Sequence, residues 1–273
     1  MIYNIKMIME FDGENFAGWQ IQKNNPSEFR SIQNILENIL KEIYGRGVKL
    51  QGSSRLDAKV NALGFCANYL APFFIPSENL RLAINSKILK LSEKIKIKNL
   101  KYVEALNFKF KDLNILNKKN LFHARYSAKG KLYIYKICNI EKEKRSLFLK
   151  NMLFLDKVLD KKTIEYLKVF VKNFLGEHDF NGFSISEKTK KNTVCFINYI
   201  GIKSFQNYRY IYILIKGNRF LHKMIRFIVG AILDLGYGKI AEKEILENLN
   251  LAKKIHNIRV VEGNNLFLKK VYY

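Results

Sequence analysis

The sequence predicts an α+β protein with a largely antiparallel mixed sheet flanked by helices. Three observations predict it: several segments alternate apolar and polar residues at the two-residue period of strands, short turns join most of them, and only a few helical stripes interrupt them. A parallel sheet wound from βαβ units would need a crossover after each strand. Neither a repeat of solenoid period nor a low-complexity segment is present.

In the first half, Tyr3, Ile5, Met7, Met9 and Phe11 line one face of a half-buried strand that Asp12-Gly13 closes with a turn. Ser31 then stands as an N-cap before Ile32, Ile35, Leu36, Ile39, Leu40 and Ile43, a helical stripe that stops at Gly45. A short strand from Val48 to Ser53 leads into Ser54-Arg55-Leu56-Asp57-Ala58-Lys59, and strand-like sequence resumes from Leu63 to Phe74. Arg55 and Asp57 therefore sit on a loop between strands. Ile95 to Ala105 reads as a further strand, and the polar, Lys- and Asn-containing residues 111–120 are the predicted linker. The boundary divides the chain into residues 1–110 and 111–273.

The second half opens in the same order, strand then helix. Lys131 to Cys138 places Tyr133, Tyr135 and Ile137 on one face, and Ile164, Leu167, Val171, Phe174 and Leu175 stripe a helix ended by Gly176. Strands from Val194 to Lys203 and Tyr208 to Lys216 follow, then an apolar helix from Phe220 to Leu235 and a last strand from Leu266 to Tyr272.

With 273 residues and 48% apolar content the chain can bury a substantial core as one large domain or two medium ones. Its 48 basic and 24 acidic residues give a formal net charge of +24, which fits a polyanionic partner: RNA, DNA or an anionic membrane. The basic residues are 38 Lys and only 10 Arg. A solvated lysine surface gives the same total without a binding face, so each arginine is the more informative residue. Cys66, Cys138 and Cys195 are widely spaced and form no C-x-x-C pair, which reads as reduced core cysteines of a cytosolic protein and predicts no metal site. The stretch Phe220 to Leu235 carries His222, Lys223, Arg226 and Asp234, unsuited to a bilayer, and the N-terminus lacks the apolar core of a signal peptide. A soluble, cytoplasmic protein is expected.

Arg226 is the most telling single residue, because almost every other position of its predicted helix is apolar and an uncompensated buried charge costs several kcal/mol. Its i−4 neighbour, His222, supplies no negative charge, so the partner must come from elsewhere in the fold, and Asp57 is a candidate. Each residue also has an ordinary reading. Arg226 at a helix edge could snorkel to water, an Asp after a strand is usually a turn residue, and Tyr133 on an amphipathic strand is usually core.

Ordered motifs across the whole chain carry more than these residues do singly. Phe11-Asp12-Gly13-Glu14-Asn15-Phe16-Ala17-Gly18-Trp19-Gln20-Ile21-Gln22 is followed by Phe122-His123-Ala124-Arg125-Tyr126-Ser127-Ala128 with Tyr133-Ile134-Tyr135, then by Leu175-Gly176-Glu177-His178-Asp179-Phe180 and by Phe220 to Gly230, FLHKMIRFIVG. In this order and spacing the chain resembles the tRNA pseudouridine synthase A (TruA) family. That family's catalytic loop reads approximately G-R-T-D-A-G-V-H-A, and here it is similar to Ser54-Arg55-Leu56-Asp57-Ala58-Lys59-Val60-Asn61-Ala62. Arg55 and Asp57 match. Ser54, Leu56, Lys59 and Asn61 replace Gly, Thr, Gly and His, and losing two glycines removes freedom to adopt positive φ, which leaves room for a different loop conformation. Asn192 stands where an arginine usually precedes Thr193, and Gly263-Asn264-Asn265-Leu266 carries two extra residues between Gly and Leu.

The resemblance implies the pseudouridine synthase fold, two similar halves around a central basic cleft, with the Asp loop in residues 1–110 and the Tyr strand and Arg helix in residues 111–273. It implies Asp57 as nucleophile, Arg226 as the ion pair that holds it ionised and aimed, and Tyr133 stacking on the uracil and taking up a proton. Arg55 and His222 would contact substrate with Tyr133. The reaction breaks a glycosidic C–N bond, turns the base and rejoins it through carbon, so it needs no redox group or cofactor, and a carboxylate serves whether it attacks sugar or base. The implied substrates are uridines 38, 39 and 40 of the tRNA anticodon stem-loop, flipped from their stack, and the implied assembly is a homodimer. The competing expectation is a non-catalytic protein that keeps the synthase fold and binds structured RNA without turnover.

Overall fold

The structure, a computed structural model, describes residues 1–21, 30–106, 121–146, 149–185, 192–251 and 258–273. The expected linker, Gln22 and Lys191 lie outside these residues. Two units divide the chain, unit 1 comprising Met1–Lys129 with Leu268–Tyr273 and unit 2 comprising Gly130–Phe267.

Unit 1 contains β1 (Ile2–Phe11), α1 (Ile32–Tyr44), β2 (Gln51–Gly52), β3 (Asn61–Ala71), α2 (Ser77–Lys90) and β4 (Ile95–Leu106). β1 is central, antiparallel to β3 on one side and to β4 on the other, with Met7 opposite Ala67 and Leu100. The alternation expected for β1 holds from Ile5 onward, where Ile5, Met7, Met9 and Phe11 are buried, but fails at Tyr3, which is half-buried between buried Ile2 and Asn4 ahead of a register shift at Asn4/Ile5. α1 is also as expected: Ser31 Oγ accepts the Asn34 N–H at 3.2 Å, and Gly45 ends the helix at φ 67°. The predicted strand from Val48 to Ser53 reduces to β2, which pairs with β3. α2 has no counterpart in the sequence reading. It buries a thin stripe of Leu80, Ile84 and Ile88, while Leu82 and Leu89 face outward and blur the helical period.

Unit 2 contains β5 (Gly130–Cys138), β6 (Leu153–Phe154), α3 (Lys161–Phe170), β7 (Gly176–Asp179), β8 (Val194–Phe205), β9 (Tyr210–Gly217), α4 (Met224–Gly236) and α5 (Glu242–Leu251). The strands run in the order β5-β9-β8-β7 with antiparallel neighbours, and β6 adds to β5 in parallel. The helix expected to reach Leu175 stops at Phe170, tightens into a 3-10 turn over Val171–Phe174 and gives way to β7 at Gly176, φ 99°. Ile137, Ile164, Leu167, Ile213 and Ile232 join the unit's apolar core. α5, also absent from the sequence reading, buries Ile245, Asn248 and Leu249. The last strand, β10 (Leu266–Tyr272), lies beside β3 and belongs to unit 1 from Leu268 onward.

The architecture is the α+β, largely antiparallel mixed sheet that the sequence predicts. All three cysteines are buried and free, as expected of core residues. Among the described residues no helix is long and apolar enough to cross a membrane, and no cluster of three or more His, Cys, Asp or Glu side chains is placed to hold a metal.

Candidate active site

The Asp57 loop is assembled by the first motif of the chain. Gly18 and Trp19 lend their carbonyls to the N–H groups of Ile32 (3.2 Å) and Gln33 (3.1 Å), so the motif satisfies the donors that the start of α1 would otherwise leave unpaired. From that fixed position the Trp19 N–H reaches the Leu56 carbonyl at 3.2 Å, and the Phe16 carbonyl takes the Lys59 N–H at 3.2 Å. Trp19 itself is buried against Phe65 of β3, ring centroids 4.3 Å apart. Motif and loop thus hold each other through backbone bonds on both sides of Asp57.

Contact this close excludes side chains at two points. A Cβ on Gly18, whose φ is 99°, would lie 2.4 Å from the Leu56 carbonyl oxygen, and one on Gly13 would lie 2.3 Å from that of Val60. The Asn61 carboxamide, buried in β3, adds a side-chain tie by accepting the Gly13 N–H at 2.8 Å through Oδ1. The loop closes with the Val60 N–H on the Asp57 carbonyl at 3.3 Å, and Lys59 takes φ 66°. A lysine therefore adopts the left-handed backbone at a position where the resembling family keeps glycine, despite the cost to a residue with a Cβ. Asp57 is half-buried and Arg55 is exposed on this loop.

In unit 2 the ring of Tyr133, 6% exposed on β5, meets the edge of Phe220 at 5.3 Å, so the FLHKMIRFIVG motif packs directly on the tyrosine strand. The helix expected from Phe220 begins only at Met224, because Lys223 takes φ 58° and breaks the helical path. His222 consequently lies outside α4 instead of one turn below Arg226. It is exposed, and its carbonyl accepts the Ile185 N–H at 3.2 Å.

Arg226 is half-buried, and its Nε donates to the Val261 carbonyl at 2.6 Å while its own carbonyl accepts the Val261 N–H at 3.5 Å. Residues 258–262 pass α4 at this point. Gly230 permits the crossing, since a Cβ there would stand 1.9 Å from the Arg259 carbonyl oxygen. One turn further on, the buried Asp234 carboxylate pairs with Arg259 Nε at 3.1 Å. Arg226, Gly230 and Asp234 of this apolar helix thus all meet residues 259–261.

Two departures from the family pattern acquire a local account. The two extra residues before Leu266 form a turn closed by the Leu266 N–H on the Gly263 carbonyl at 3.0 Å, and the Asn265 carbonyl takes the Lys136 N–H at 3.0 Å. Asn192 replaces an arginine, yet the Arg219 guanidinium reaches the Asn192 carbonyl from the end of β9. The sequence reading passed over Arg219, whose one signal was its place immediately before a motif.

The motif Phe122 to Ala128 is pinned in unit 1. The Phe122 carbonyl accepts from Asn4 Nδ2 (2.8 Å) and Asn68 Nδ2 (3.2 Å), and its N–H donates to Glu104 Oε1 at 2.7 Å. The Ala124 N–H continues the network to Asn68 Oδ1 at 2.8 Å. Asn4, Asn68 and Glu104 had no role in the sequence reading, because their alternation along strands looks like any polar position until the chain that they grip is known.

The aspartate loop lies in one antiparallel α+β unit and the tyrosine strand and arginine helix lie in the other. A family model described as tRNA pseudouridine synthase matches residues 170–273. Curated relatives extend the match to the full length. The tRNA pseudouridine synthase A of Clostridium botulinum (strain Alaska E43 / Type E3) is 34% identical over 273 residues, 99% of both chains. That of Acetivibrio thermocellus is 33% identical over 270 residues, again 99% of both. The tRNA pseudouridine synthase A 2 of Bacillus cereus ATCC 14579 is 30% identical over 273 residues and 100% of both. The chain belongs to the tRNA pseudouridine synthase A family and is an isomerase of that class.

Proposed function

We propose that this protein converts uridine to pseudouridine in tRNA, at positions 38, 39 and 40 of the anticodon stem-loop, with Asp57 as the nucleophilic carboxylate. The observation that carries the reading is the construction of the Asp57 loop, which backbone bonds from Phe16 and Trp19 hold on both sides of the aspartate. With the backbone fixed on both sides, only the aspartate side chain has to be ordered when it meets a reacting carbon, and positional precision of this kind contributes to rate.

Arg226 is proposed as the ionic partner of Asp57, and Tyr133 as the ring that stacks on uracil and accepts a proton. Arg55 and His222 are proposed as substrate contacts. Residues 1–110 and 111–273 are the proposed functional halves, with a central basic cleft that binds the RNA backbone, consistent with the net charge of +24. A homodimer in the cytoplasm, with no cofactor, completes the reading. Recognition would rest mainly on shape and phosphates, as an abundance of lysine over base-reading side chains suits.

Pseudouridine mapping on tRNA incubated with the purified protein and with Asp57→Ala tests this. The wild type modifies the anticodon stem-loop and the variant does not. An equally active variant overturns the role of Asp57, and salt-dependent tRNA binding by a wild type that forms no product identifies a non-catalytic binder.

A further inference from the structure

We propose that Tyr126, with Arg125 beside it, is a stacking platform for an unpaired base of the RNA substrate. The inference rests on the reading of the chain as a tRNA-modifying enzyme and adds a contact outside the residues assigned to the reaction.

Tyr126 is 78% exposed, the most exposed aromatic side chain among the described residues. Folding gains little from a ring left in water, so its position calls for another use. The turn that carries it is fixed from within. The Ser127 N–H bonds the His123 carbonyl at 2.9 Å, the His123 N–H bonds Ser127 Oγ at 3.0 Å, and His123 Nδ1 accepts the N–H groups of Arg125 (3.0 Å) and Tyr126 (3.3 Å). The turn is also fixed from below, through the bonds from Asn4, Asn68 and Glu104 to Phe122 and Ala124, and through the Tyr273 hydroxyl, which donates to the Ala124 carbonyl at 2.8 Å.

The ring therefore has its backbone set before any ligand arrives, and binding orders only a side chain. The His123 ring lies 4.4 Å from that of Tyr126 at 40°, which backs the tyrosine with a second flat group. The Arg125 guanidinium carbon stands 5.8 Å from the Tyr126 centroid. An aromatic face with a neighbouring guanidinium matches one nucleotide, the ring taking the base and the cation its phosphate. Unpaired RNA bases are bound in this manner, whereas a paired stem offers no free face.

The test uses the full chain and an unmodified tRNA transcript, with binding and pseudouridine formation measured in parallel for Tyr126→Ala, Tyr126→Phe, Tyr126→Trp and Arg125→Ala. Tyr126→Ala should raise Kd and KM about tenfold or more, acting on KM rather than kcat, and Phe and Trp should restore both, because stacking needs the ring and not the hydroxyl. Arg125→Ala should lower the salt dependence of binding by about one phosphate contact. Wild-type Kd and KM in Tyr126→Ala overturn the platform, as does failure of Phe to rescue. A wild type without product overturns the proposed reaction separately, and Kd alone then decides the platform. Unfolding midpoints equal to wild type show that each variant folds.

Discussion

Asn61 Oδ1 and the Gly13 N–H stand 2.8 Å apart, a buried hydrogen bond between β3 and the turn after β1. It joins the two ends of the chain segment that encloses the Asp57 loop. Asn61→Leu keeps the bulk and strands a buried donor, so stability should fall by about 1–3 kcal/mol in denaturant unfolding. An unchanged stability in Asn61→Leu would rule out a contribution from the bond.

Lys59 offers a change in the opposite direction. Its φ of 66° is one that glycine adopts freely, so Lys59→Gly should raise the unfolding free energy by about 0.5–1 kcal/mol, seen as a higher midpoint with the denaturant slope unchanged. A drop in midpoint would show that the lysine side chain supports the loop. Gly18→Ala is the reverse case. Its φ of 99° and the Leu56 carbonyl 2.4 Å from the added carbon predict a loss of at least about 2 kcal/mol, together with lower activity.

Gly230→Ala should lift residues 258–262 away from α4, because the obstructing atom is the backbone oxygen of Arg259. The Arg226 bond to Val261 goes with it. Both stability and turnover should fall, and an active, stable variant would mean that the crossing is not needed to hold Arg226.

Burial moves the His123 imidazole below its usual range, which favours the neutral ring whose Nδ1 accepts two backbone N–H groups. A depressed native value means that the unfolded chain binds the proton first. Stability should thus be complete above pH about 6.5, fall as pH drops below it, and level off once the native ring also protonates. His123→Asn supplies an acceptor that does not titrate, and a midpoint-against-pH curve for it should lose this step.

The parts of the fold that the sequence disclosed are those specified by neighbours in sequence. Ser31 and Gly45 bracket α1 because caps act within one turn, and most of β1 alternates because the strand has one strongly buried face. α2 stayed hidden since three buried residues on fourteen make a faint stripe and Pro76 supplies no side-chain cap. The start of α4 was misplaced because Phe220 and Leu221 continue the apolar run, while the break depends on a left-handed Lys223 that composition does not signal. At the candidate site, Asp57, Arg55, Tyr133 and Arg226 stood out through ordered motifs. Asn61, Gly230 and Arg219 act through backbone atoms distant in sequence, and such partners exist only once the chain is folded.

β10 places the residues from Leu268 onward beside a strand made near the start of the chain, with the Lys129 N–H on the Tyr272 carbonyl at 2.8 Å. During synthesis the whole of Gly130–Phe267 must emerge before that seat can be filled. Until then part of the β3 edge has no partner strand, and this non-local closure is of the kind that slows folding and exposes an edge to intermolecular pairing.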